Sequence, residues 1–323
     1  MSAEQSILKY DSPYSVTSDV AGFKILFVNV YMIGEPVYGG DWVLIDAGLP
    51  GSADRIRKEA EKVFGSNNKP RAIVLTHGHF DHVGALPELL KHWNVPVYAH
   101  PLEMPYLKGK SHYPPPDPAV GGGAMAYMSW VYPTKPVNLG DKVLPFPANG
   151  IVPELPEWKI IHTPGHSPGH VSLFRERDCT LLAGDAFVTV NQNSVFSVIS
   201  QKEEFHEPPA YFTIDWQAAK KSVQELARLN PKAIGTGHGL PVSGRKWQNR
   251  FARFAENFDN YIPEDGRYVK QPAHTDESGI VDMPEPTSYK RARLVAGIGL
   301  GVVAGAALAF ISRKIKKGNS DIV

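Results

Sequence analysis

The segment Thr76-His77-Gly78-His79-Phe80-Asp81-His82 constrains this chain more than any other. It follows directly on the apolar run Ala72-Ile73-Val74-Leu75. Four groups able to bind a metal therefore stand close together at the end of a predicted buried strand. Imidazole and carboxylate suit zinc, iron or manganese. A tight turn at a strand end can aim alternate side chains into one space, and Gly78 relieves backbone crowding there. A merely His-rich polar loop is the alternative, and spacing this dense argues against it. Cys179 is the sole cysteine. No intramolecular disulfide can form, which fits a reducing compartment, and a metal site must use His and carboxylate ligands.

Three further motifs follow in order. They are His162-Thr163-Pro164-Gly165-His166-Ser167-Pro168-Gly169-His170, then Leu181-Leu182-Ala183-Gly184-Asp185, then Gly237-His238-Gly239. Each is weak alone, since a strand-end Asp is usually a turn residue and a lone His usually a surface or core residue. Together and in this order they are specific. HGHFDH, TPGHSPGH, AGD and GHG resemble the ordered signature of the metallo-β-lactamase superfamily, over roughly the first 260 residues. The resemblance implies an α+β fold, a four-layer αββα sandwich with a two-metal site at one edge. By it, His77, His79 and His166 hold the first metal. Asp81, His82 and His238 hold the second, and Asp185 bridges the two. The implied cofactors are two divalent ions, zinc first, with iron or manganese as alternatives. Asp46, at the end of Leu44-Ile45-Asp46-Ala47-Gly48, matches a family position that supports the ligands by a hydrogen bond to a ligating imidazole. Its alternative reading is a turn residue before Gly48. His170 is either such a supporting residue or a hydrogen-bonded structural His. His162 receives no metal role, and neither do His92, His100, His112, His206 and His274.

The catalytic domain is expected over residues 1–260. Strands are predicted over 25–33 and 42–45. Ser52 caps a helix whose Ile56, Ala60, Val63 and Phe64 share a face, and Gly65 ends it. A second helix face is Trp216, Ala219, Val223, Leu226 and Leu229, broken by Pro231 before the strand at Ala233-Ile234. Pro70-Arg71-Ala72-Ile73 and Pro231-Lys232-Ala233-Ile234 echo each other, each leading to a His beside Gly, which suggests an internally duplicated architecture. Residues 108–135 and 191–212 resist regular structure and carry Tyr113, Trp130, Tyr132, Phe196, Phe205, Tyr211 and Phe212. They are expected to be lids with exposed aromatics. Trp247, Phe251, Phe254 and Phe258 mark another helix. Cys179 is expected to pack rather than react.

Residues 261–289 read as a Pro-rich linker. Residues 290–317 read as a C-terminal transmembrane anchor with basic flanks, its uncharged core at 294–312, followed by a tail at 318–323. Lys290, Arg291 and Arg293 precede the core, and Arg313, Lys314, Lys316 and Lys317 follow it. Gly297, Gly301 and Gly305 lie on one face, a stripe that suits homo-oligomerisation in lipid or simply fills an apolar anchor. The expected location is a membrane, by a single-pass anchor, with the catalytic domain in the cytoplasm. The N-terminus has no apolar core of the kind a secretory signal needs.

The net charge is +1. That balance argues against a dedicated nucleic-acid binder, and a small-molecule substrate is expected. The resemblance implies a hydrolase in which a metal-bridged hydroxide attacks a carbonyl, with Asp81 carrying a proton to the leaving group. Asp185 resembles the bridging residue of the glyoxalase II and lactonase branch, whereas most antibiotic-degrading members have another residue there. A carboxylic thioester or ester, lactone included, is therefore the expected substrate. Two departures bear on this. Acyl-homoserine lactonases place a Tyr where this chain has Val188. Glyoxalase II enzymes add a helical domain with basic glutathione contacts, for which this chain offers only Arg245, Lys246 and Arg250. The alternatives are a metal-dependent nuclease, an iron-dependent persulfide dioxygenase, and a non-catalytic membrane-tethered metalloprotein.

Overall fold

Strands buried on both faces need apolar residues at consecutive positions rather than at every second one. Val-Asn-Val-Tyr-Met-Ile and Thr-Leu-Leu are such runs, and both lie inside sheets. The computed structural model describes residues 13–121 and 123–286. A seven-stranded sheet carries, in spatial order, β1 (Tyr14–Thr17), β2 (Val20–Ile25), β3 (Val28–Ile33), β4 (Val43–Ile45), β5 (Ala72–Val74), β6 (Val97–Ala99) and β7 (Val143–Pro145). It is antiparallel from β1 to β4 and parallel from β4 to β7. A six-stranded sheet holds β8 (Ile151–Val152), β9 (Leu155–His162), β10 (Val171–Arg175), β11 (Thr180–Leu182), β12 (Ala233–Gly235) and β13 (Val242–Ser243), in reverse order. Its β11–β12 pair is parallel and the rest are antiparallel. The principal helices are α1 (Ala53–Phe64), α2 (Leu86–His92), α3 (Trp216–Arg228) and α4 (Arg245–Glu256).

Successive strand residues enter different cores because side chains alternate across a sheet. In β3, Val30 and Met32 pack with Trp42, Ile56, Phe64 and Leu86 on the side of α1 and α2. Tyr31 and Ile33 point the other way, to Val43, Ile45, Trp158, Leu173 and Leu182 between the sheets. In β11, Leu182 joins that middle core, while Leu181 meets Trp216, Val223, Leu226 and Phe251 from α3 and α4. The layers therefore run helix, sheet, sheet, helix. Trp42 stacks on Phe64 with ring centroids 4.8 Å apart and meets Trp93 edge-on at 5.6 Å. Truncating so enclosed a ring costs about 3–5 kcal/mol.

The helix ends differ in detail from expectation. Ser52 does precede α1, but its hydroxyl donates to the Leu49 carbonyl at 2.6 Å instead of capping the helix. Asp215 caps α3 by accepting from the Ala218 N–H at 2.9 Å. Gly65, at φ +89°, ends α1 as expected. The units β4–α1–β5 and β11–α3–β12 share one plan, a strand, a helix and a parallel neighbouring strand.

Residues 267–273, within the stretch expected as a linker, are tied to the body. The Arg267 N–H donates to Asp117, the Tyr268 hydroxyl to the Pro115 carbonyl and the Ala273 N–H to the Ile214 carbonyl. A small hairpin, β14 (His274–Asp276) and β15 (Gly279–Asp282), follows.

The expected fold class coupled the sandwich to a C-terminal transmembrane helix, and that part is corrected. Among the described residues no helix is long and apolar enough to cross a membrane. The longest, α3, has 13 residues, about 20 Å of helix against about 30 Å of bilayer hydrocarbon. Residues 290–317, where the anchor was expected, lie outside the described residues, as do Gly297, Gly301 and Gly305. The transmembrane anchor, the membrane location and the contact with a membrane drawn from it are therefore withdrawn. The glycine-stripe oligomer falls with them.

Candidate metal centre

The candidate ligands come from loops that leave the strands at one edge of both sheets. His77 and His79 follow β5, Asp185 follows β11, and His238 follows β12. His166 sits in the loop joining β9 to β10, and Asp81 and His82 on the helical turn Phe80–Val83. Backbone bonds lock the sheets together here. The Val171 N–H donates to the Thr76 carbonyl at 2.9 Å, and the Asn29 N–H to the Gly237 carbonyl at 2.7 Å. The Asn29 amide also donates to the Thr236 and Gly239 carbonyls, at 2.8 and 2.6 Å.

All seven candidate ligands are buried. They fall into three overlapping groups, His77/His79/His166, His77/His82/Asp185 and Asp81/His82/His238, each with its ligand atoms within 4.8 Å of one another. Asp185 is central. Its Oδ2 lies 3.1 Å from His238 Nε2 and 3.5 Å from both His82 Nε2 and His166 Nε2. Asp81 Oδ2 is 3.6 Å from His238 Nε2. A Cβ at position 237 would overlap the Asp185 carboxylate, so the first glycine of Gly237-His238-Gly239 is a steric requirement.

The surrounding acceptors fix the imidazole tautomers. His238 Nδ1 lies 2.9 Å from the Phe27 carbonyl and His82 Nδ1 lies 2.8 Å from Asp46 Oδ2. Neither oxygen can donate, so each Nδ1 carries a hydrogen and each Nε2 is the ring nitrogen turned to the centre. Asp46, at φ +62°, also accepts from the Thr76 N–H and hydroxyl, both at 2.8 Å. The Thr76 hydroxyl, having spent its hydrogen on Asp46, accepts from His77 Nδ1 at 3.0 Å. His77 Nε2 is then a free acceptor. Asp46 thus stands behind two of the candidate ligands. His170 braces Asp185, its Nε2 accepting the Asp185 backbone N–H at 2.8 Å. His162 turns outward, to the Pro168 carbonyl at 2.9 Å and a stacked His100 ring.

Burial, joined by neighbouring imidazoles, pushes His77 and His166 well below the ordinary imidazole range and takes His79 to about 3. His170 also drops to about 3 by burial. Burial works against the charged form of His82 and His238 too, but Asp185 and its neighbouring carboxylates overcome it and raise both. Asp185 in turn falls well below its ordinary value, because His238 and His82 outweigh its burial. His77, His79 and His166 therefore reach the centre as neutral imidazoles, whereas the carboxylates hold protons on His82 and His238 that a bound cation would displace. His77 Nε2, His82 Nε2 and Asp185 Oδ1 are buried with no hydrogen-bond partner among the described residues. Such atoms are costly unless a cation satisfies them. The donor set fits divalent metals.

A narrow cavity opens over the cluster. Residues 108–135 give it Met125 and Tyr132, and residues 191–212 give it Pro209, Tyr211 and Phe212. The aromatics expected to be exposed are mostly buried. Phe212 stacks on His79 at 4.6 Å, Tyr113 leans on the same ring at 4.6 Å, and Trp130 and Phe196 alone remain well exposed among those named.

The family model for the metallo-beta-lactamase superfamily matches residues 24–238, more than half of the chain. The chain belongs to the metallo-β-lactamase superfamily. It is 44% identical over 247 residues to the probable metallo-hydrolase YflN of Bacillus subtilis (strain 168), covering 76% of this chain and 94% of that one. It is 31% identical over 204 residues to the probable metallo-hydrolase YybB of the same organism, covering 63% and 78%. The crystal structure of the metallo-beta-lactamase family protein TTHA1429 from Thermus thermophilus superposes with a TM-score of 0.52 at 20% identity, over 76% of this chain and 81% of that chain, and shares the fold. The protein is a metal-dependent hydrolase of this superfamily.

One residue that braces the centre was invisible in the sequence. Glu103 is fully buried between the two His-rich loops. Its Oε2 accepts from the Gly78 N–H at 3.0 Å and from the Tyr113 hydroxyl. Its Oε1 accepts from the Ser167 hydroxyl at 2.9 Å and the Gly169 N–H at 2.8 Å. Burial pushes this carboxyl up against the pull of those four bonds. All four partners offer a hydrogen, so the ionised carboxylate is the form the surroundings are built for.

Proposed function

We propose that His77, His79 and His166 hold one divalent cation, that Asp81, His82 and His238 hold a second, and that Asp185 serves both. Zinc is the first choice of metal, and the reaction is hydrolysis of a carboxylic ester, thioester or lactone. The observation that carries this reading is the position of the Asp185 carboxylate, 3.1 to 3.5 Å from imidazoles of both ligand groups. Bound there, the cations supply Lewis acidity and bring water toward ionisation near neutral pH.

The remaining roles belong to the chain. Asp46 and Thr76 hold His77 and His82 in the tautomer that presents Nε2. The Phe27 carbonyl does the same for His238. His170 fixes the backbone of Asp185. Asp81 reaches the cavity wall with a carboxyl raised by burial, and it is the group assigned to carry a proton to the leaving atom. The aromatic lining excludes water around the reacting bond.

The test is turnover by the metal-loaded chain across thioesters, lactones, a cephalosporin and a phosphodiester. Preference for a thioester, ester or lactone is expected. Cleavage of the phosphodiester alone would refute the reading.

A further inference from the structure

Among the described residues, the wall of the cavity holds no charged side chain outside the seven candidate ligands. Phe27, Phe80, Met125 and Phe212 present carbon and sulfur, and Tyr132 and Tyr211 add two phenols. The aromatic rings brace one another. Phe80 lies 5.8 Å from Tyr132, and Tyr132 lies 6.1 Å from Phe212, which is itself stacked on His79. Tyr132 points its hydroxyl at the Met125 sulfur, 3.8 Å away. Outside the candidate ligands, the described surface offered to a substrate is therefore largely apolar and carries no charge.

Basic side chains exist elsewhere in this half of the protein, but they do not face the cavity. Arg250 and Arg253 of α4 line a separate surface hollow with Glu204 and His206, and the two cavities share no lining residue. Arg250 also lies over the Trp247 ring at 4.5 Å. A carboxylate or phosphate carried into the aromatic cavity away from the metal centre would lose its water and meet no cation. Burying an unpaired charge in this way is strongly unfavourable, whereas an alkyl group gains by the same transfer.

We infer that the site takes esters, thioesters or lactones that are small and uncharged on both sides of the scissile bond, and that it discriminates against anionic conjugates of the glutathione type. This rests on the carboxylic-hydrolase reading above.

Two matched substrate pairs test it on the metal-loaded full chain. The first is 4-nitrophenyl 6-methylheptanoate against 4-nitrophenyl hydrogen adipate, where a carboxylate replaces a terminal isopropyl group. The second is a hexanoyl thioester of N-acetylcysteamine against the hexanoyl thioester of glutathione. The neutral member of each pair should show a kcat/KM at least about tenfold higher. Non-reacting amides matched to the first pair, followed by saturation-transfer NMR, should bind in the same order. Phe27 is half-buried and lines the cavity, so Phe27→Arg puts a cation at its mouth, with thermal denaturation checking that the fold survives the loss of its packing. It should shrink the ratio for the first pair by about tenfold at unchanged metal content. Equal rates, or preference for the anionic members, would overturn the inference and leave the hydrolase reading standing. Cleavage of none of the four, with bis(4-nitrophenyl) phosphate cleaved, would overturn both.

Discussion

Glu103 gives the sharpest test of how the centre is held. Its carboxylate receives two backbone N–H groups, from Gly78 and Gly169, and two hydroxyls, from Tyr113 and Ser167. Glu103→Ala strips all four. The hydroxyls can rotate to other acceptors, but the two backbone groups cannot turn away. Each buried donor left unpaired costs about 1–3 kcal/mol, so a loss of about 4 kcal/mol is expected. Glu103→Gln keeps the volume and one acceptor oxygen. That oxygen can serve Ser167 and Gly169, while the amide nitrogen opposes the Gly78 N–H. Tyr113 can rotate to accept from it. One backbone donor is then lost, and about 2 kcal/mol is expected. Urea denaturation of the metal-stripped chain measures both losses. Chelator competition should show metal binding weakened by about tenfold in Glu103→Ala, because the loops carrying His77, His79 and His166 lose their tie. If both variants unfold within about 0.5 kcal/mol of the parent and hold metal equally well, Glu103 does not organise the centre.

Asp185→Asn should cut turnover by at least about two orders of magnitude while circular dichroism stays unchanged, because the central negative charge is removed; near-normal rates with both metals bound would refute its role. Asp19 and Arg175 form a buried pair at 2.5 Å, and Asp178 adds a second contact to Arg175. Burial raises Asp19, but hydrogen bonds from Arg175 and Thr17 and the nearby guanidinium charges more than cancel that, so its carboxyl sits below its ordinary 3.8. A depressed acid contributes stability that is complete above about pH 4 and lost as pH falls through the folded value. Asp19→Asn should therefore cost about 3 kcal/mol at pH 7 and flatten the acid limb of the stability profile, read by denaturation at a series of pH values. Ending the chain after Gly266 removes the bonds from Arg267, Tyr268 and Ala273 to residues 115, 117 and 214. A lower melting temperature and a raised KM are expected, since those bonds fasten the stretches that shape the cavity.

What could be read from the sequence was what is local. HGHFDH announces itself because its candidate ligands stand side by side, and the echo of Pro70-Arg71-Ala72-Ile73 in Pro231-Lys232-Ala233-Ile234 marks β5 and β12, each paired in parallel with the strand before its helix. Glu103 could not be found this way. Its partners are 25, 64 and 66 positions distant, apart from Tyr113 at 10, and nothing around it repeats. The aromatics of residues 108–135 and 191–212 were legible as unusual but not as buried, because their burial depends on which loops meet over the centre. Pro and Gly content made residues 261–289 look like a linker. Tyr268, at 2% exposure, together with the bonds from Arg267 and Ala273, seats residues 267–273 against the body. The apolar run at 294–312 satisfied a hydropathy rule that reads composition only, and no described helix bears the anchor out.

The duplicated plan explains why one edge of the molecule collects every candidate ligand. β4 and β11 are equivalent strands, each paired in parallel with the strand that follows its helix. Each delivers an aspartate just past its end, and the two are put to different uses. Asp46 turns toward its own half, holding Thr76 at 2.8 Å and, through it, His77. Asp185 turns to the centre, toward His82, His166 and His238. His82 is gripped from both sides, at Nδ1 by Asp46 at 2.8 Å and near Nε2 by Asp185 at 3.5 Å. A bare pair of carboxylates would repel across that ring, and the imidazole between them is stabilised by both. The geometry therefore exists only when the two sheets are docked, because neither half owns a complete ligand group: His166 joins His77 and His79, Asp185 joins His77 and His82, and His238 joins Asp81 and His82. If the proposed ligands hold metal, its affinity and sheet docking form one linked equilibrium, and whatever separates the sheets would empty both halves of the centre together.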